Sequence, residues 1–156
     1  AMVWGYRPLY ANLTEANGTH ITTPVTLTQP WRMTLEVSNF TGNVVGRTLF
    51  ASATSDGVND WMKFQIYVQG TDNIYCGWNS WQSKWSTTPL TNSDFTLVID
   101  CTTSGLTISK DGNALGQESW QSGSFSNIPS TMTLDYGMIF GGGGTSYDLV
   151  CNFENL

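Results

Sequence analysis

Apolar residues recur at every second position along much of this chain, in short runs broken by Gly, Pro, Asn and Asp clusters. Trp31, Met33, Leu35 and Val37 alternate with Arg32, Thr34 and Glu36, and Phe95, Leu97, Ile99 and Cys101 alternate with Thr96, Val98 and Asp100. A period of two places one set on each face of a strand, so each run predicts a half-buried β-strand. The same pattern predicts strands over Ile21–Thr28, Thr48–Ala53, Trp61–Gln69 and Asn73–Ser80, with an aromatic-rich edge over Trp4–Tyr10. Leu106 to Leu115 reads as a hairpin, because Asp111-Gly112-Asn113 between alternating residues supplies the positive φ angles of a tight turn. A strand near Leu134, a Gly-rich strand end over Tyr136–Gly144 and a closing strand over Asp148–Leu156 complete the series. Trp81–Asn92 and Gly116–Ser130 read as long polar loops carrying Trp81, Trp85, Trp120 and Phe125. No helix-period segment of useful length occurs, and roughly ten short strands with regular turn signals predict an all-β, two-sheet antiparallel fold, a sandwich or jelly roll.

Length and composition agree with that reading. The 156 residues suit one domain with a sizeable core, expected to span 1–156. Charged residues make up 12%, about half the ordinary share, so uncharged Thr, Ser, Asn and Gly must cover the surface. The net charge is −6, and the six Lys and Arg are scattered rather than clustered. A nucleic-acid footprint needs grouped cations, so neither nucleic acid nor an anionic membrane surface is an expected partner. No apolar run is long enough for a membrane-spanning helix.

Cys76, Cys101 and Cys151 each fall in the apolar phase of their strand. They read as three buried free thiols acting as small hydrophobes; one disulfide with a spare thiol is the alternative. Their spacing lacks the Cys-x-x-Cys pairs of a zinc site. Free thiols suit folding in a reducing compartment. A phage virion protein, assembled in a cytosol and used outside it, would combine free thiols with an external role.

The ordered series Asp94–Cys101, Leu106–Leu115 with its Asp-Gly turn, Tyr136–Gly144 and Asp148–Leu156 resembles the concanavalin A-like lectin and glucanase (laminin G-like) superfamily. The resemblance runs from about Trp31 to the end of the chain and implies a fold more directly than a function. It implies a carbohydrate-binding module whose sheet face and rim loops meet glycan. Hydrolases of that superfamily carry two carboxylates on one strand face, as Glu-x-Asp-x-x-Glu or Glu-x-Asp-x-Glu, to flank the scissile bond. This chain lacks the pattern: Glu36 is the one carboxylate within its strand, Glu15, Glu118 and Glu154 are isolated, and His20 has no obvious nucleophile partner. No catalytic residue is therefore expected.

The binding chemistry sits opposite the apolar phase. Along Trp61–Gln69 the non-core positions are Trp61, Lys63, Gln65, Tyr67 and Gln69. Aromatic planes stack on the C–H faces of pyranoses, while amides and ammonium groups hydrogen-bond to hydroxyls. Tyr75 and Trp81 share an outward parity, Asn79 adds an amide, and Trp85 and Trp120 stand in polar loops. The expected ligand set is Trp61, Lys63, Gln65, Tyr67, Tyr75, Asn79, Trp81, Trp85 and Trp120. Ordinary cross-strand pairs would account for the strand aromatics as well, and core capping for those of the loops. Asp56, Asn59 and Asp60, with Asp148, offer the hard oxygens calcium takes, although Asp and Asn are also turn residues. No cofactor is expected beyond that structural ion. The expected partner is a polysaccharide or cell-surface glycan, and the expected setting an extracellular or virion protein of several domains or subunits. A glycoside hydrolase of the same fold and a protein-interaction domain are the competing expectations.

Overall fold

The computed structural model describes residues 2–3, 9–13, 25–41, 47–53, 64–69, 73–78, 81–87, 94–134, 136–138 and 146–156. The strands are β1 (Met2–Val3), β2 (Leu9–Leu13), β3 (Val25–Thr28), β4 (Trp31–Thr41), β5 (Arg47–Ala53), β6 (Phe64–Gln69), β7 (Asn73–Trp78) and β8 (Trp81–Ser86). They continue with β9 (Phe95–Cys101), β10 (Leu106–Lys110), β11 (Asn113–Ala114), β12 (Gly116–Gln117), β13 (Thr131–Leu134), β14 (Tyr136–Met138) and β15 (Ser146–Asn155). A single 3-10 turn, Phe125–Asn127, is the helical element among the described residues. One sheet runs β1-β15-β4-β9-β10-β11 with β2 also on β15; the other runs β12-β8-β7-β6-β5-β14; β13 and β3 pair separately. Every pairing is antiparallel.

The period-two pattern decides which residues meet between the sheets. Trp31, Met33, Leu35 and Val37 of β4, the alternate residues Phe95 to Cys101 of β9, and Leu149, Cys151 and Phe153 of β15 are all buried. Phe64 and Ile66 of β6, Ile74 and Cys76 of β7 and Trp85 of β8 face them from the second sheet. Trp31 and Phe64 join the two layers edge to face, ring centroids 5.5 Å apart and planes at 82°. Each such side chain contributes roughly 1.5–3 kcal/mol of burial. All three cysteines are free and buried, as their apolar phase requires.

The hairpin forms where the sequence signal puts it. Asp111 and Gly112 adopt φ of 51° and 85°, and Lys110 pairs with Asn113 across the turn. Asp111 also ties the turn to β9, donating from its N to Thr96 O and accepting from Thr96 N at Oδ1, both at 2.9 Å.

The two long loops are the main departure. Trp81–Ser86 is strand β8, and Gly116–Gln117 pairs with it as β12. Sequence alternation conceals β8 because its inward phase reads Ser83-Trp85 rather than two apolar residues. Ser83 is nevertheless fully buried, its hydroxyl donating to Glu118 O at 3.0 Å and accepting from Gln117 Nε2 at 3.0 Å. Those bonds satisfy a polar group that would otherwise be costly in the interior.

Candidate functional face

The outward side of the β6-β7-β8-β12 half-sheet carries the strand positions of Gln65, Tyr67 and Tyr75, three of the six candidate residues that are described. Tyr67, Tyr75 and Lys84 are successive cross-strand partners on β6, β7 and β8. Glu118 extends this row beyond β12, its N donating to Lys84 O at 2.8 Å. Flanking rows run Gln65–Gly77–Gln82 and Gln69–Asn73–Ser86–Gly116. Gln65, Asn73, Tyr75 and Lys84 are half-buried, while Ser86 and Glu118 are exposed. Directly opposed positions on one sheet face are neighbours, so Tyr75 and Lys84, with Gln65 and Asn73 in the flanking rows, form one strip.

The charged end of the strip is tightly bonded. Lys84 Nζ lies 2.9 Å from Glu118 Oε2, and Ser86 Oγ donates to Glu118 Oε1 at 3.2 Å. The Lys84 hydrogen bond holds the Glu118 carboxyl below its ordinary range, reinforced by the Lys84 charge and by Ser86. Sequence reasoning passed over Lys84, Ser86 and Glu118 because Trp81–Asn92 and Gly116–Ser130 read as loop, and it passed over Asn73 although its strand was predicted. The signal lay in Gln82, Lys84 and Ser86, which alternate against Ser83 and Trp85.

Three aromatic assignments change. Trp85 is 1% exposed and belongs to the core, so its ring cannot serve on a rim. Trp81 does not share the outward parity of Tyr75. It pairs with Trp78, which sets it in register phase with Ser83 and Trp85. A hairpin with two residues between paired ends joins an even position to an odd one, so parity reverses between β7 and β8. Trp120 packs partly against the core together with Phe125, which supports core capping over a free rim position. Trp61, Lys63 and Asn79 lie outside the described residues, as do Asp56, Asn59, Asp60 and His20, and for Tyr67 and Trp81 only the strand position is described.

The outward side of the other sheet has different chemistry. Arg32 donates to Asp100 through Nε and Nη2 at 2.6 and 3.0 Å, and Asn152 Nδ2 donates to Glu154 Oε1 at 3.1 Å. Its outward positions on β9 and β10 are Thr96, Val98, Asp100, Thr107 and Ser109, with no aromatic ring among them. A concavity of about 380 Å³ opens at one end, lined by Glu36, Asp94, Thr96 and Asp111 among others. Two of its carboxylates already serve the backbone, Asp94 Oδ1 accepting from Asn39 N and Asp111 Oδ1 from Thr96 N, each at 2.9 Å. Asp148 accepts from Asn39 Nδ2 at 2.7 Å. Among the described residues no three His, Cys, Asp or Glu side chains form a metal-holding group.

No protein-family model matches the chain, and no curated protein does. Solved structures do match. Sheep galectin-11, in complex with glycerol, superposes with a TM-score of 0.54 at 11% identity, over 88% of this chain and 98% of that one. The CBM40 of the Ruminococcus gnavus IT-sialidase, bound to α2,3-sialyllactose, gives 0.52 at 11% identity, over 80% and 76%. An alginate lyase of polysaccharide lyase family 7 gives 0.51 at 9% identity over 85% of this chain, which spans 62% of the lyase. Lectin, binding module and lyase share the architecture, and identities this low carry the fold alone. The chain has the antiparallel jelly-roll sandwich fold that these structures share.

Proposed function

We propose that this chain is a non-catalytic carbohydrate-binding module, one domain over residues 1–156, that takes a poly- or oligosaccharide on the outward face of β6, β7 and β8. The observation that carries the reading is the cross-strand strip in which Tyr75 is flanked by Gln65, Asn73 and Lys84 on a half-exposed sheet face. Tyr75, with Tyr67 beside it in register, supplies the ring for pyranose stacking, and the amides and ammonium group address hydroxyls. Trp61, Lys63 and Asn79 join the proposed ligand set on the strength of the sequence. The carbohydrate-related chemistry of proteins that share the fold supports the choice of ligand.

Binding per site is expected to be weak, because little apolar area is buried against a sugar. Repetition in a multidomain or multimeric parent would supply avidity. Free buried thiols fit a domain that folds in a reducing cytosol and acts outside it, as a phage host-adhesion domain does.

Calorimetric titration against a panel of plant, bacterial-envelope and host polysaccharides tests the reading, with reducing ends and unsaturated products measured on the same samples. Saturable binding without new products, lost in Tyr75→Ala, is the expected result. New chain ends would make the protein an enzyme of this fold. Absence of binding to every glycan, together with concentration-dependent self-association, would favour the interaction-domain alternative.

A further inference from the structure

We infer that the Lys84–Glu118 pair makes this face select neutral glycans and turn away anionic ones; the inference rests on the binding reading above. Lys84 is the described cation on the strip, and Glu118 already compensates it at 2.9 Å. The two partners are unequally accessible: the Glu118 side chain is 46% exposed and that of Lys84 22%. An approaching ligand therefore meets the carboxylate before the ammonium group.

Glu118 is also held in place. Its N donates to Lys84 O at 2.8 Å, its O accepts from the buried Ser83 hydroxyl at 3.0 Å, and its Oε1 accepts from Ser86 at 3.2 Å. The first two bonds fix the backbone from which the carboxylate projects, and the third holds the carboxylate itself.

A sugar carboxylate or sulfate reaching Lys84 would have to displace Glu118 or sit beside it as a second negative charge. The chain as a whole gives no help, with a net charge of −6. Of the other cations, the two whose side chains are described, Arg32 and Lys110, lie on the other sheet, paired with Asp100 and Asp111. Neutral hydroxyls meet no such barrier: they donate to Glu118 and accept from Lys84 without changing the local charge. Glu118 is thus a specificity-determining residue at the edge of the strip.

The test pairs each neutral polysaccharide of the panel with a derivative whose C6 hydroxymethyl groups are oxidised to carboxylates, so that members of a pair differ in charge. Wild-type protein, Glu118→Gln and the double variant Lys84→Gln/Glu118→Gln are titrated with both members at low and high salt. Wild type is expected to bind the neutral member and to lose affinity for the oxidised one, the loss shrinking as salt screens the repulsion. Glu118→Gln is expected to gain about fivefold for the oxidised member at low salt, the scale of one exposed charge pair, and the double variant to lose that gain. The wild-type comparison needs no variant to fold. Equal or tighter wild-type binding of the oxidised member overturns the inference and leaves the binding module standing. A Glu118→Gln protein that folds without gaining affinity overturns it too. Binding of neither member overturns the binding module, and the inference with it.

Discussion

Replacing Gly112 by alanine isolates the conformational demand of the β10–β11 turn. A Cβ built at Gly112 meets nothing within 4 Å, yet the residue sits at φ +85°. Gly105 is open in the same way, with nothing within 4 Å, but is not among the positive-φ glycines. The two sites therefore share free space and differ in backbone conformation. A left-handed conformation costs an L-residue about 1–2 kcal/mol. Stiffening the unfolded chain returns about 0.4–1 kcal/mol at either site. Gly112→Ala should accordingly destabilise by roughly 1 kcal/mol, and Gly105→Ala should be neutral or slightly stabilising. Urea unfolding followed by tryptophan fluorescence reads the difference, with the buried Trp31 and Trp85 as reporters. Equal midpoints for the two variants at an unchanged slope would refute the argument, because both sites offer the same free space and the positive φ at Gly112 is what should separate them.

Tyr75→Ala should lower glycan affinity about three- to tenfold, as expected for one half-buried ring on the sheet face. Trp85→Ala should instead cost about 3–5 kcal/mol by opening a cavity in the core, seen in the same urea titration. The thiols predict a pH dependence: burial pushes Cys101 up from 9.0 to about 12 and raises Cys76 and Cys151 as well. Above pH 9 the unfolded chain holds fewer thiol protons than the folded one, so stability is full below that pH and falls as pH climbs towards 12. A urea midpoint that does not fall between pH 8 and 10 would contradict this, as would rapid reaction of the native thiols with iodoacetamide at pH 8. Asp100→Ala should cost less than about 1 kcal/mol, shrinking with salt, because Arg32 and Asp100 are 42% and 28% exposed.

What the sequence revealed about the sandwich was its apolar phase. β4, β9 and β15 announce themselves because Trp31 to Val37, Phe95 to Cys101 and Leu149 to Phe153 alternate without a break. The β10–β11 turn was equally legible, since Asp-Gly is a chemical statement about φ. Pairing across space was not. β8 hides behind Ser83, whose burial depends on Gln117 and Glu118, 34 and 35 residues further along the chain. The strip on the outward face was legible only in part. Gln65 and Tyr75 stood out as polar and aromatic positions opposite core residues, but Lys84 joined them through a parity reversal between β7 and β8 that depends on hairpin register. Glu118 looked isolated because its partner is defined by a strand pair and not by a spacing.

The alternation within β6, β7 and β8 separates two tasks along one stretch of chain. Phe64, Ile66, Ile74, Cys76 and Trp85 are committed to the interior, while Gln65, Tyr75 and Lys84 on the opposite phase carry none of that load. Outward positions can therefore change by point mutation, singly or in combination, with the core left intact. A library randomised at 65, 67, 75, 82, 84 and 86 would sample new recognition surfaces on a constant scaffold. A one-residue insertion between Trp78 and Trp81 would do the opposite, since the register reversal there keeps Trp85 inside and Lys84 outside. Diversity in this sheet is expected to accumulate by substitution on the strands, with the length of that hairpin held fixed.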